Sequence, residues 1–163
     1  PTRGLMGYTS RFLTLTKGTG VINRIFHGYG KFEGEMDGRK NGALISMSTG
    51  KAVAFAIFNL QARGEMFVTH NDPVYEGMIV GLTPKPGDMI INVMKGKQLT
   101  NMRTQGTDEN VVLTPVRQMS IAEQLSMLNT DEALEITPKS LRLRKAILNP
   151  HDRKKNEKSA TPL

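Results

Sequence analysis

The chain has 163 residues, 38% of them hydrophobic, with no cysteine and a formal net charge of +7. That is enough apolar material for one modest core, or for one domain and part of another. The lack of thiols excludes disulfides, thiolate metal sites and cysteine nucleophiles, and no apolar run is long enough to cross a bilayer as a helix. Pro1 is not an initiating residue and no secretory pattern follows it, so the chain is expected to be a fragment or a processed product.

Leu5, Tyr8, Phe12 and Leu15 recur at helical spacing, and Gly18 is placed to stop that helix. Residues 19–29 read as a strand. Residues 31–41 are polar and glycine-bearing, and a domain boundary is placed there, giving a unit over 1–34, a domain over 35–148 and a basic tail over 149–163. Within the second unit, residues 42–47 form a strand candidate. A turn at 48–51 leads into the apolar run 52–58, read with the strand candidates and ending in a helical turn at 59–64. Further strands are expected at 65–68, 78–82 and 89–93. The fold class is therefore α+β, with a β-rich main domain.

Residues 95–110, between the apolar runs 89–93 and 111–113, form the longest polar interruption, and loops of that length are usually functional or disordered. Lys95, Lys97 and Arg103 are its cations, and Gln98, Thr100, Asn101, Thr104 and Gln105 its hydrogen-bonding side chains. With Met102 beside Arg103, this inventory suits phosphates, sugars and base edges, and Leu99 is expected to anchor the loop's base. Ser120 and Glu123 form a capping box, and Ile121, Leu125 and Leu128 are expected to give that helix its buried face. Residues 134–136 and 141–143 read as two short strands joined through 137–140. In the second of them Arg142 and Arg144 alternate with leucines and so share one face.

The charge is concentrated near this end. From Lys139 to Lys158 eight cations stand against Asp152 and Glu157, leaving one net positive charge for everything else. Such a stretch suits polyanionic partners. Lys139, Arg142, Arg144 and Lys145, with Arg39 and Lys40 near the boundary, join the loop residues as candidate RNA contacts. No catalytic constellation accompanies them. His27, His70 and His151 lack metal-ligand spacing, the adjacent acids Asp108-Glu109 and Asp131-Glu132 point apart on a strand, and no nucleophile elbow is present. His70 to Pro73 reads as a turn. A phosphate-binding loop is also missing: Ala52 follows Gly50-Lys51, and Ile45 stands where the first glycine belongs. The ten methionines read mainly as core filler.

Several runs together resemble the C-terminal part of the TypA/BipA family of ribosome-associated translational GTPases. They are GLMGYTSRFLT, NGALIS, GKAVAFAIFNLQARGEMFV, VYEGMIVG, LTNMR followed by Gly-Thr-Asp-Glu, and EITPKSLRLRK. The resemblance implies that residues 1–34 are the closing half of a ferredoxin-like domain and that 35–148 are a family-specific domain. It implies partners in the bacterial-type ribosome, namely large-subunit ribosomal RNA and the acceptor end of an A-site transfer RNA, reached by the long loop. It further implies roles in large-subunit assembly and in growth under stress or cold, a cytoplasmic and monomeric protein, and neither membrane nor DNA as partner. GTP and magnesium belong to a GTPase domain missing here, so no cofactor or metal is expected on these residues. Lys97-Gln98 and Thr104-Gln105 depart from the Lys-Lys and Ala-Ser of some members. Read from its residues alone, the chain leaves two alternatives open: a protein-interaction module, or a small-molecule enzyme on the β-rich domain.

Overall fold

The computed structural model describes residues 2–5, 8–32, 34, 39–96 and 112–160. A short 3-10 turn at Thr2–Leu5 precedes helix α1, Tyr8–Leu15. Gly18 ends α1 as expected. At φ +80 it adopts a conformation that favours glycine, and its N–H donates to the Leu13 carbonyl at 2.7 Å. The expected strand at 19–29 does not form. Residues 19–32 are irregular, held to α1 by Arg24 donating to Thr9 Oγ1 at 2.9 Å, and no described strand pairs with them. A strand needs a ladder partner. Without one, Val21, Ile25, Phe26, Tyr29 and Phe32 remain exposed.

The main domain is built in three layers. Strands β1 (Ala43–Ser46), β3 (Glu65–Met66), β5 (Ile79–Leu82) and β6 (Met89–Ile91) make a four-stranded sheet in the order β3-β5-β1-β6. The β1–β5 and β3–β5 pairs are antiparallel and β1–β6 is parallel. Strand alternation sends Leu44, Met66, Val80 and Ile91 to one face, and Ala43, Ile45, Phe67 and Ile79 to the other. Helix α2 (Ala54–Gln61) covers the first face through Ile57 and Leu60. The second face is covered by a hairpin of β7 (Glu132–Ile136) and β8 (Leu141–Lys145), together with Met119 and Leu128. Because both faces are buried, β1 carries no polar alternation, and even Ser46 is 2% exposed.

The apolar run 52–58 therefore becomes helix rather than strand. Ala56, Ile57 and Leu60 lie on one helical face against the core, and alanine, leucine and glutamine favour helix intrinsically. Before it, β2 (Gly50–Lys51) pairs with β4 (Pro73–Val74). Val53 offers α2 no side-chain cap, and His70 supplies one instead, its Nδ1 accepting from the Ala54 N–H at 3.2 Å. Residues 112 and 113 form no strand; Leu113 packs on the first core while Val112 is exposed.

Helix α3 (Ile121–Ser126) starts where the capping signal places it, with Ser120 Oγ accepting from the Glu123 N–H at 3.3 Å. The Glu123 carboxylate meets Arg117. The expected buried face is rotated: Ile121 and Leu125 are exposed, whereas Gln124 is buried and Leu128 packs on the second core. Ser120→Ala should lower stability by about 1 kcal/mol in urea unfolding, and a loss below a few tenths would show the cap to be idle. The basic tail forms helix α4 (Pro150–Ala160), which presents no apolar stripe and is tied to the domain by Arg153 donating to the Ile147 and Leu148 carbonyls.

Candidate nucleic-acid interface

The basic residues expected to act together divide into two groups. Strand β8 alternates, so Leu143 and Lys145 face inward while Arg142 and Arg144 face the other way. Lys145 is 1% exposed, and its ammonium meets Asp88 at 2.5 Å, Asp131 at 2.6 Å and Glu132 at 3.0 Å. Arg39 is withdrawn as well. It makes a bidentate pair with Glu132 at 2.8 and 3.1 Å, and donates to the Met127 and Asn41 carbonyls. With 6% of its side chain exposed, Arg39 joins the chain entering the domain to the start of β7. The expectation of Arg39 and Lys145 as RNA contacts is corrected on this ground. Buried Glu132 pairs with both, Asp88 and Asp131 add to Lys145 from more exposed positions, and freeing either cation would leave an uncompensated charge in the interior.

These ion pairs also shift titration. Burial pushes the Asp88 carboxyl up, but the hydrogen bond from Lys145, the Ala43 N–H and the Arg39 charge together hold it below its ordinary value. Burial pushes the Lys145 ammonium down, yet its three carboxylate partners outweigh this and hold it above its ordinary value.

Arg142 and Arg144 remain on the outer face of the hairpin, half-buried. Arg142 stands across from Glu135 in the ladder and lies 3.5 Å from its carboxylate. Arg144 donates to the Lys145 and Ala146 carbonyls. Tyr75 completes the cluster, its hydroxyl donating to Glu135 Oε2 at 2.5 Å; burial and that hydrogen bond push its phenol up to about 12. Exposed Lys139 marks the hairpin turn, Lys40 is exposed near the start of the domain, and Lys95 is exposed near the end of the described segment 39–96. The loop residues expected as RNA contacts, Lys97, Gln98, Thr100, Asn101, Met102, Arg103 and Thr104, lie outside the described residues.

Two arginines, a lysine and a tyrosine around one hairpin can hold phosphate by charge and fork geometry. A phosphate-cradling loop is a different matter. Gly50 and Lys51 lie in the β2–β4 ladder, where their amides do not converge on an anion. Tyr75 and Glu135 carry no sequence signal of their partnership, because nothing in their spacing joins residues sixty positions apart.

Residues 41–150 match the family model of the TypA/BipA C-terminal domain. The chain belongs to the TypA/BipA family. It is 48% identical over 99% of its length to a Buchnera aphidicola protein named large ribosomal subunit assembly factor BipA, of which it covers 27%. It is 47% identical over 95% of its length to the Salmonella typhimurium protein of that name, covering 26%. With the Haemophilus influenzae protein it shares 42% identity over 99% of its length, again covering 26%. The chain thus spans about a quarter of the length of these TypA/BipA relatives. No described helix is long and apolar enough to cross a membrane.

Proposed function

We propose that this chain is the ribosome- and RNA-engaging C-terminal region of a translational GTPase acting in large-subunit assembly. The observation that carries the reading is the outward pair Arg142 and Arg144 beside exposed Lys139, on a domain whose relatives are named large ribosomal subunit assembly factors. In this reading Lys95, Lys97 and Arg103 contact the acceptor end of an A-site transfer RNA. GTP and magnesium belong to a domain outside this chain, and the protein acts in the cytoplasm, with growth under stress or cold as its setting. The apolar segment 19–32 belongs to the closing half of a ferredoxin-like domain whose opening half covers it.

The test is the salt dependence of binding to ribosomal RNA or ribosomes. Replacing Lys139, Arg142 and Arg144 by glutamine should weaken binding and reduce the log-log salt slope by roughly 0.7 to 0.9 per lost phosphate contact. An unchanged slope and affinity would make this face a solvated surface and sink the reading. Lys145 is left out of the set, because its replacement acts on the fold.

A further inference from the structure

A cleft of about 840 Å³ lies between residues 116–121 with α3 on one side and the β7–β8 turn on the other. Phe67 and Ile79 of the second sheet face, Leu143 of the covering hairpin and Met119 line its apolar part. Arg117, Lys139 and Arg142 also line it. Arg117 is engaged by Glu123 and Arg142 by Glu135, whereas Lys139 is exposed at the turn. The volume falls within the range of small-ligand sites, and an apolar lining beside cations is the composition that unstacked bases and their phosphates require.

One further group requires a ligand-side explanation. Gln124 lines the cleft at 8% exposure, and its Nε2 makes one long hydrogen bond, 3.4 Å, to the Met119 carbonyl. Its Oε1 is buried with no hydrogen-bond partner among the described residues. A buried acceptor without a donor is unfavourable. The terminal torsion of glutamine is soft, which leaves the carboxamide free to reorient when a donor enters the cleft. A carboxamide offers one acceptor beside one donor, the complement of a base edge.

We propose that this cleft captures a single unstacked RNA base, with Gln124 reading its edge, Phe67 and Met119 against its ring, and Lys139 and Arg117 on the flanking phosphates. The inference rests on the RNA-binding reading and deepens it, because affinity then contains a part that depends on the base. Gln124 is a specificity residue here. Its conservative carboxylate variant is informative: Gln124→Glu only accepts, so it disfavours edges that need a neighbouring donor. It favours guanine, whose edge carries two adjacent donors.

The experiment is fluorescence anisotropy of the full chain with short uridine oligomers whose central position is adenine, guanine or abasic. The abasic oligomer should bind roughly fivefold or more weakly than the adenine one, the scale of one lost base stack. Gln124→Leu should abolish most of the difference between adenine and guanine centres, and Gln124→Glu should shift preference toward guanine. Circular dichroism checks that each variant folds. If Gln124→Leu does not fold, the Gln124→Glu reordering and the wild-type abasic comparison decide. Equal binding of abasic and adenine oligomers overturns the base cleft while leaving the phosphate reading intact. Base-dependent binding whose preference is unmoved by Gln124→Glu overturns the role of Gln124 and with it the proposal. No salt-sensitive binding of any oligomer overturns both readings.

Discussion

Replacing Lys145 by alanine should lower the unfolding free energy by about 3–5 kcal/mol, the usual cost of breaking a buried ion pair from one side. The ammonium links Asp88 at the start of β6 to Asp131 and Glu132 at β7. Removing it leaves Glu132, whose side chain is fully buried, with Arg39 as its remaining cation beside the hydrogen bond from the Asn129 N–H. Asp131 is more than half exposed and contributes less, because water screens it.

The pH profile gives the same result a second readout. The Lys145 value is raised in the folded state, so its contribution is fully present below the unfolded lysine value of about 10.4 and is lost as pH rises through the folded value. The Asp88 value is lowered, so its contribution is present above the unfolded aspartate value of about 3.9 and is lost as pH falls through the folded value. Urea midpoints measured from acid to alkaline pH should therefore trace a plateau between two falling limbs. In Lys145→Ala the plateau drops, the alkaline limb flattens and the acid limb moves up in pH. A plateau within about 1 kcal/mol of the parent, well short of the cost of an uncompensated buried charge, would show that water replaces the ammonium without cost.

Leu44→Ala should cost about 2–5 kcal/mol, the range for a large-to-small change in a well-packed core. Leu44 is 0% exposed in the centre of the sheet, within the cluster that includes Ile57, Val80 and Val93. The strands on either side of β1 are both in place, so the backbone has little freedom to collapse into the vacated space. Ile90, on the edge strand and 42% exposed, is the control, and Ile90→Ala should cost clearly less. Equal losses at the two positions in urea unfolding would contradict the three-layer assignment.

Local signals were legible in the order of residues. Gly18 ends α1 and Ser120 starts α3 because each acts on backbone groups within a few residues. The long runs shared with the TypA/BipA family were legible as well, since a match over 41–150 depends on the order of residues and not on their contacts. The alternation of β8 also separated Arg142 and Arg144 from the leucines, because a strand's period is intrinsic to its backbone. What alternation cannot supply is the identity of the next layer. Alternation sets Lys145 on the same side of β8 as Leu143, but only the approach of Asp88, Asp131 and Glu132 from other parts of the chain makes that side a place for a buried ammonium. Arg39 is withdrawn by the same kind of contact across 93 positions. The run 52–58 is apolar enough for strand or helix, and the sheet face waiting above it decides for helix. Residues 19–32 show the converse: a strand-like sequence stays irregular when no described strand supplies its ladder, since extended backbone is completed by a neighbour. Sequence alone thus determined family, caps and strand period, which act locally or through residue order. Tertiary structure decided which cations are surface and which are core, because burial is set by whatever residue, however distant, packs against them.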